Sequence, residues 1–100
     1  MQHILVIDDD GEIVRILQRS LSIYGYDVLT AMNGETAFEI IGQYRPDLLL
    51  LDLGLPGISG LEICKQIRAH SNLPPIIVVS VRDTEREKVE AFAAGADDYV

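Results

Sequence analysis

The sequence has one cysteine, few basic residues and no long hydrophobic run. Each shortage closes off a class of protein. With Cys64 alone, neither an intrachain disulfide nor a cysteine-rich metal site is possible, and its place among apolar residues at helical spacing reads as core. Lysine and arginine total 8 against 16 aspartates and glutamates, a formal charge of −8. That balance argues against direct nucleic-acid contact by this domain, because phosphate backbones are gripped by cations. The longest apolar stretches run four or five residues, well short of the roughly 18 that a membrane-spanning helix needs. The N-terminus lacks the basic flank and apolar core of a signal peptide, so a cytoplasmic address with no membrane contact is expected. Linkers rich in Ser, Gly or Pro are missing, as are internal repeats. The 100 residues therefore read as one domain, residues 1–100, built around one core.

What the chain does have is a regular alternation. HILVI (His3 to Ile7), YDVLTA (Tyr26 to Ala31), DLLLL (Asp47 to Leu51), PIIVVS (Pro75 to Ser80) and the terminal DYV read as strands. Several are almost continuously apolar, as strands covered on both faces must be. Between them apolar residues recur at helical spacing: Ile13, Ile16, Leu17, Leu21 and Tyr24; Ala37, Phe38 and Ile41; Leu61, Cys64 and Ile67; Val89, Phe92, Ala93 and Ala96. Ser59 with Glu62, and Thr84 with Glu87, have capping-box spacing, and Gly25 and Gly95 stand where left-handed C-terminal caps are wanted. A strict β-α alternation with short connections predicts a parallel sheet wrapped by helices on both faces. Ligands of such sheets bind beyond the carboxyl ends of the strands.

Carboxylates gather at those ends. The first strand runs into Asp8, Asp9 and Asp10, the third into Asp52, and the fourth into Ser80. Asp9 with Glu12 has the spacing of a helix cap, which accounts for one aspartate of the triplet and not the others. If the first and third strands are neighbours, about 5 Å apart, Asp52 faces Asp8 and Asp9, and the like charges call for a cation. A hard dication such as Mg²⁺ suits oxygen ligands of this kind, and an aspartate beside it can attack phosphorus to form an acyl phosphate. A carboxylate, a cation and a hydroxyl form nearly the whole equipment of phosphoryl transfer.

With ILVIDDD, LLLLDLGLPGISG, PIIVVS and GADDY in this order, the whole chain resembles the receiver domain of two-component response regulators. The resemblance implies an α/β fold, a doubly wound five-stranded parallel sheet of flavodoxin-like order 2-1-3-4-5. It implies that Asp52 is phosphorylated by a sensor histidine kinase, the domain being a phospho-acceptor that assists its own phosphorylation and dephosphorylation rather than an enzyme. It further implies that Asp8 and Asp9 hold Mg²⁺ beside Asp52, Asp9 directly and Asp8 largely through water, with the Gly54 carbonyl as a further ligand. Ser80 would bind the phosphoryl group and Tyr99 would be the aromatic switch. RDTEREKVEAFAAGADDY is most similar to the winged-helix transcription-factor subfamily. In that subfamily Lys88, Asp97 and Asp98 would lie on the face of a homodimer formed on phosphorylation, and a DNA-binding output domain would lie outside this chain.

The sequence also departs from the family. Its lysine three positions after the switch aromatic falls past Val100, as does a fifth helix, so an incomplete receiver with one sheet face uncovered is expected. Val81 stands where Ala or Gly is usual, which narrows access to the site. Rival readings fare worse. The glycines of GLPGISG fall at 54, 57 and 60, which breaks the GxGxxG order of a dinucleotide site. DDDGE lacks the alternating ligands of a calcium-binding loop, and an aspartate phosphatase would want a second aspartate where Gly54 stands. The remaining alternative is a phosphorylation-independent interaction module of the same fold. His3 and His70 have no partner at ligand spacing, and Lys65 with Arg68 reads as a solvated helical face, so all four are left out of the site.

Overall fold

The computed structural model describes residues 2–72, 74–79 and 84–100. Five strands alternate with four helices in the order β1 (His3–Ile7), α1 (Gly11–Ile23), β2 (Asp27–Ala31), α2 (Gly34–Tyr44), β3 (Leu48–Leu51), α3 (Gly60–His70), β4 (Ile76–Val78), α4 (Glu85–Ala94) and β5 (Asp98–Tyr99). All the strands are parallel and their order is β2-β1-β3-β4-β5, the expected one. β3 lies between β1 and β4, which is why its leucines run without a polar interruption.

Side chains alternate across the sheet. Leu5, Ile7, Leu49, Leu51, Ile76 and Val78 share one face by register and are fully buried. They join Ala37 of α2, Ile63, Cys64 and Ile67 of α3, and Ala91 and Ala94 of α4 in one cluster. On the opposite face Ile4 and Val6 are buried, and α1 packs along β1 and β2. Leu48, Leu50 and Ile77 on that face are half-buried.

Helix starts follow the caps. Ser59 Oγ accepts from the Glu62 N–H at 3.2 Å, and Thr84 Oγ1 from the Glu87 N–H at 3.2 Å, so both expected capping pairs form. Gly25 and Gly95 have φ of 90° and 110°, as the turns after α1 and α4 require. The cap of α1 is a correction: Asp10, not Asp9, accepts from the Glu12 N–H at 3.0 Å. The apolar stripes need correcting too. Ile16 and Tyr24 are 61% and 80% exposed, while Ile13, Leu17 and Leu21 turn inward. In α4 the buried residues are Ala91 and Ala94, and Val89, Phe92 and Ala93 point outward. A stripe of large apolar residues marks one side of a helix, and packing against the sheet chose the neighbouring side of small ones.

Candidate functional site

Backbone ladders place the carboxylates. The Asp8 N–H donates to the Ala31 carbonyl at 3.0 Å, extending the β1–β2 pairing by one residue, and the Asp52 N–H donates to the Ile7 carbonyl at 2.9 Å. Ile7 pairs with Leu51, so the next residues along the two strands, Asp8 and Asp52, emerge side by side at the carboxyl end of the sheet. Each of Asp8, Asp9 and Asp52 offers a carboxylate oxygen, and these atoms lie within 4.8 Å of one another. Asp8 is buried, Asp52 half-buried and Asp9 exposed, a gradient from the sheet outward to solvent.

Charge at this point is costly. Burial pushes the Asp8 carboxyl above the ordinary carboxylate range, with the charges of Asp52, Asp9 and Asp10 adding to the effect, while the hydrogen bond from the Asp10 N–H opposes it. That bond, 2.9 Å to Asp8 Oδ1, also fixes the carboxylate's direction. Three converging carboxylates, one of them buried, fit a hard dication: all are oxygen donors, and a cation removes the repulsion that the fold imposes on them. Asp10 takes no part, because its side chain is spent on the α1 cap.

Gly54 lies beside the cluster, close enough that a side-chain carbon there would come 3.7 Å from Asp52 Oδ2. Ser80 and Val81 lie outside the described residues. The other expected residues gather elsewhere, Lys88 on α4, Asp98 and Tyr99 on β5 and Asp97 just before it, with β4 standing between β5 and β3. Tyr99 is half-buried, with its hydroxyl 3.5 Å from Glu87 Oε2. Lys88 stands 3.9 Å from Glu85 on α4, and Asp98 is exposed. Asp97 has an internal engagement: its Oδ2 accepts from Arg68 Nη2 at 2.7 Å and from the Ile76 N–H at 2.8 Å.

Arg68 is the residue that sequence reasoning misread. It is no solvated residue of a helix face but a largely buried tie. Its Nε donates to the Gly95 carbonyl and its Nη2 to the Pro74 carbonyl as well as to Asp97, joining α3 to the start of β4 and the turn before β5. The available signal was its place four residues after Cys64, on the buried side of α3.

The sequence matches the response regulator receiver domain over residues 4–100. The chain belongs to that family. Among curated relatives, this receiver is 44% identical over 99 residues to the alkaline phosphatase synthesis transcriptional regulatory protein PhoP of Bacillus subtilis, covering 99% of this chain and 41% of the relative. It thus spans about two fifths of the length of the curated relatives it matches. Among solved structures, the beryllofluoride-activated N-terminal receiver domain of Klebsiella pneumoniae RstA superposes with a TM-score of 0.94 at 30% identity, covering 99% of this chain and 84% of that one. A Burkholderia pseudomallei response regulator, solved with a phosphorylated aspartic acid, a calcium ion and citrate, superposes at 0.91 with 29% identity, covering 99% of this receiver and 58% of that chain.

Proposed function

We propose that this receiver accepts a phosphoryl group on Asp52 from a sensor histidine kinase. The observation that carries the reading is the convergence of Asp8, Asp9 and Asp52 at the ends of β1 and β3, in a family one of whose solved members holds a phosphorylated aspartate and a cation. An Asp52 carboxylate oxygen attacks the phosphorus of the kinase's phosphohistidine. A P–O bond forms, the P–N bond breaks with its electron pair passing to the imidazole, and Asp52 becomes an acyl phosphate. Asp52 suits the part because it is half-buried, at the tip of a strand whose neighbours hold its backbone still.

Asp8, Asp9 and Asp52, with the Gly54 carbonyl, are the proposed holders of Mg²⁺, Asp9 directly and Asp8 largely through water. When bound, the ion supplies neutralisation of the negative charge around the transferred group. Ser80 is assigned the hydrogen bond to a phosphoryl oxygen, and Tyr99 the conformational readout on β5. The domain assists its own phosphorylation and dephosphorylation and is otherwise a switch.

The output we propose is control of transcription through a winged-helix DNA-binding domain, a reading supported by the transcriptional role in PhoP's name. We place homodimerisation on the face that carries Lys88, Asp97 and Asp98. Its support is the exposed apolar pair Val89 and Phe92 on α4, the helix that packs against β5, where Asp98 is also exposed. The Arg68 tie leaves about half of the Asp97 side chain exposed. A cytoplasmic setting goes with this role, and no helix among the described residues is long and apolar enough to cross a membrane.

The test is calorimetric titration of the full-length protein with Mg²⁺ and then beryllofluoride, beside its Asp52→Asn variant. The wild type should bind both, and the variant should keep its fold and lose beryllofluoride binding. A folded wild type that binds neither would instead be a phosphorylation-independent interaction module.

A further inference from the structure

We propose that Gly60 is a positioning residue for Asp52, an inference that rests on the reading of Asp52 as acceptor. Gly60 opens α3 and is buried. Its φ is not among the positive ones, so any residue could adopt its backbone, and what excludes a side chain is space. A Cβ built there would lie 2.3 Å from the Asp52 carbonyl oxygen, 2.7 Å from Leu53 Cα and 3.1 Å from the Asp52 carbonyl carbon. All three are backbone atoms of the acceptor and its neighbour, and they cannot swing aside as the tip of a side chain can. Ordinary contact begins at 3.4 Å, so a single methyl group demands a movement of about 1 Å between the start of α3 and the Asp52–Leu53 peptide.

That movement falls on the site. The body of α3 is anchored by Ile63, Cys64 and Ile67 in the core and by its Ser59 cap. The strands are held by their ladder. The Gly60 N–H donates to the Leu53 carbonyl at 3.2 Å, clamping the helix start to the residue after the acceptor. The bare glycine therefore lets α3 act as a backstop for the Asp52 backbone and so sets where its carboxylate stands relative to Asp8 and Asp9. Gly34 provides the contrast. It is also buried at a helix start, but the nearest atoms a Cβ would meet there are side-chain atoms, of Ile58 and Ile63, at 3.3 Å or more.

The experiment compares wild type, Gly60→Ala and Gly34→Ala in the full-length protein, with a stabilising osmolyte present so that folding is matched. In the metal-free proteins, Gly60→Ala should move backbone amide resonances most strongly at Asp52 to Gly54, and Gly34→Ala at Ile58 and Ile63. Mg²⁺ affinity and the rate of phosphate uptake from acetyl phosphate should fall on the order of tenfold to a hundredfold in Gly60→Ala, the scale of a 1 Å misplacement, and stay within about twofold in Gly34→Ala. A folded Gly60→Ala protein with wild-type Asp52 resonances and affinity overturns the proposal. So does one that cannot fold where Gly34→Ala does, since the glycine would then be a folding requirement. A wild type that neither binds Mg²⁺ nor takes up phosphate defeats the acceptor reading itself, and the inference with it.

Discussion

Helices α3 and α4 lie side by side, and each is started by a hydroxyl cap reaching three residues ahead, yet they bury different surfaces. α3 sinks Ile63, Cys64 and Ile67 into the core and adds the Arg68 tie. α4 packs through Ala91 and Ala94 and leaves Val89 65% and Phe92 48% exposed. Large buried side chains make many dispersion contacts, and alanines make few. The helix that abuts the proposed acceptor is thus firmly held, whereas the one beside Tyr99 rests more lightly and shows solvent an apolar stripe. In a switch, this division puts rigidity where chemistry needs position and looseness where a signal has to be passed on.

Four substitutions probe the contrast. The largest effect belongs to Ile63→Ala, which opens a cavity in the main core and should cost about 2–5 kcal/mol in denaturant unfolding. A loss as small as that expected for an exposed α4 position would erase the distinction between the helices. Next comes Arg68→Met, which strips the Gly95 and Pro74 carbonyls of their donor while leaving Asp97 the Ile76 N–H. A decrease of about 1–3 kcal/mol is expected, the range for partly buried polar groups left unpaired. An unchanged midpoint would mean that the tie holds nothing.

Smaller still is Asp8→Asn. Because burial and its neighbours raise the carboxyl's pKa on folding, the folded state binds the proton more tightly than the unfolded one. The stability this contributes is fully present below the ordinary carboxylate pKa and is lost as pH rises through the folded value. In metal-free protein the amide should therefore raise the melting temperature at pH 7, with the gain shrinking toward acid, and abolish tight Mg²⁺ binding. A gain that grows on acidification would contradict the sign. The smallest effect is that of Val89→Ala, within about 0.5 kcal/mol on stability, while self-association of the phosphorylated protein weakens. A large loss of stability from this change would place Val89 in the core after all.

Much of this was legible in the residues. The run DLLLL, bounded by Asp52, announced a central strand, and β3 has partners on both sides. The acidic triplet and Asp52 announced a cation site, and strand order brings their oxygens together. Periodicity fared worse wherever more than one side of a helix is apolar enough to be buried. In α4, Ala91 and Ala94 carry as consistent a helical spacing as Val89 and Phe92, and only the available depth against the sheet decides between them. The α1 cap slipped by one residue for a similar reason, since Asp9 and Asp10 are equally able acceptors and the β1–β2 ladder, reaching to Asp8, determines where the helix starts. Arg68 escaped because a charged side chain looks solvated until its acceptors, two backbone carbonyls and an aspartate distant in sequence, are in place.

The most direct test of the account is to locate the phosphate. Full-length protein incubated with acetyl phosphate, with and without Mg²⁺, and digested under mild conditions should yield one modification with the lability of an acyl phosphate, lost on treatment with alkali or hydroxylamine. Peptide mass spectrometry should place it on Asp52, and only in the samples with Mg²⁺. Modification at Asp8 or Asp9, or uptake at Asp52 that is indifferent to Mg²⁺, would contradict the division of labour among the three carboxylates.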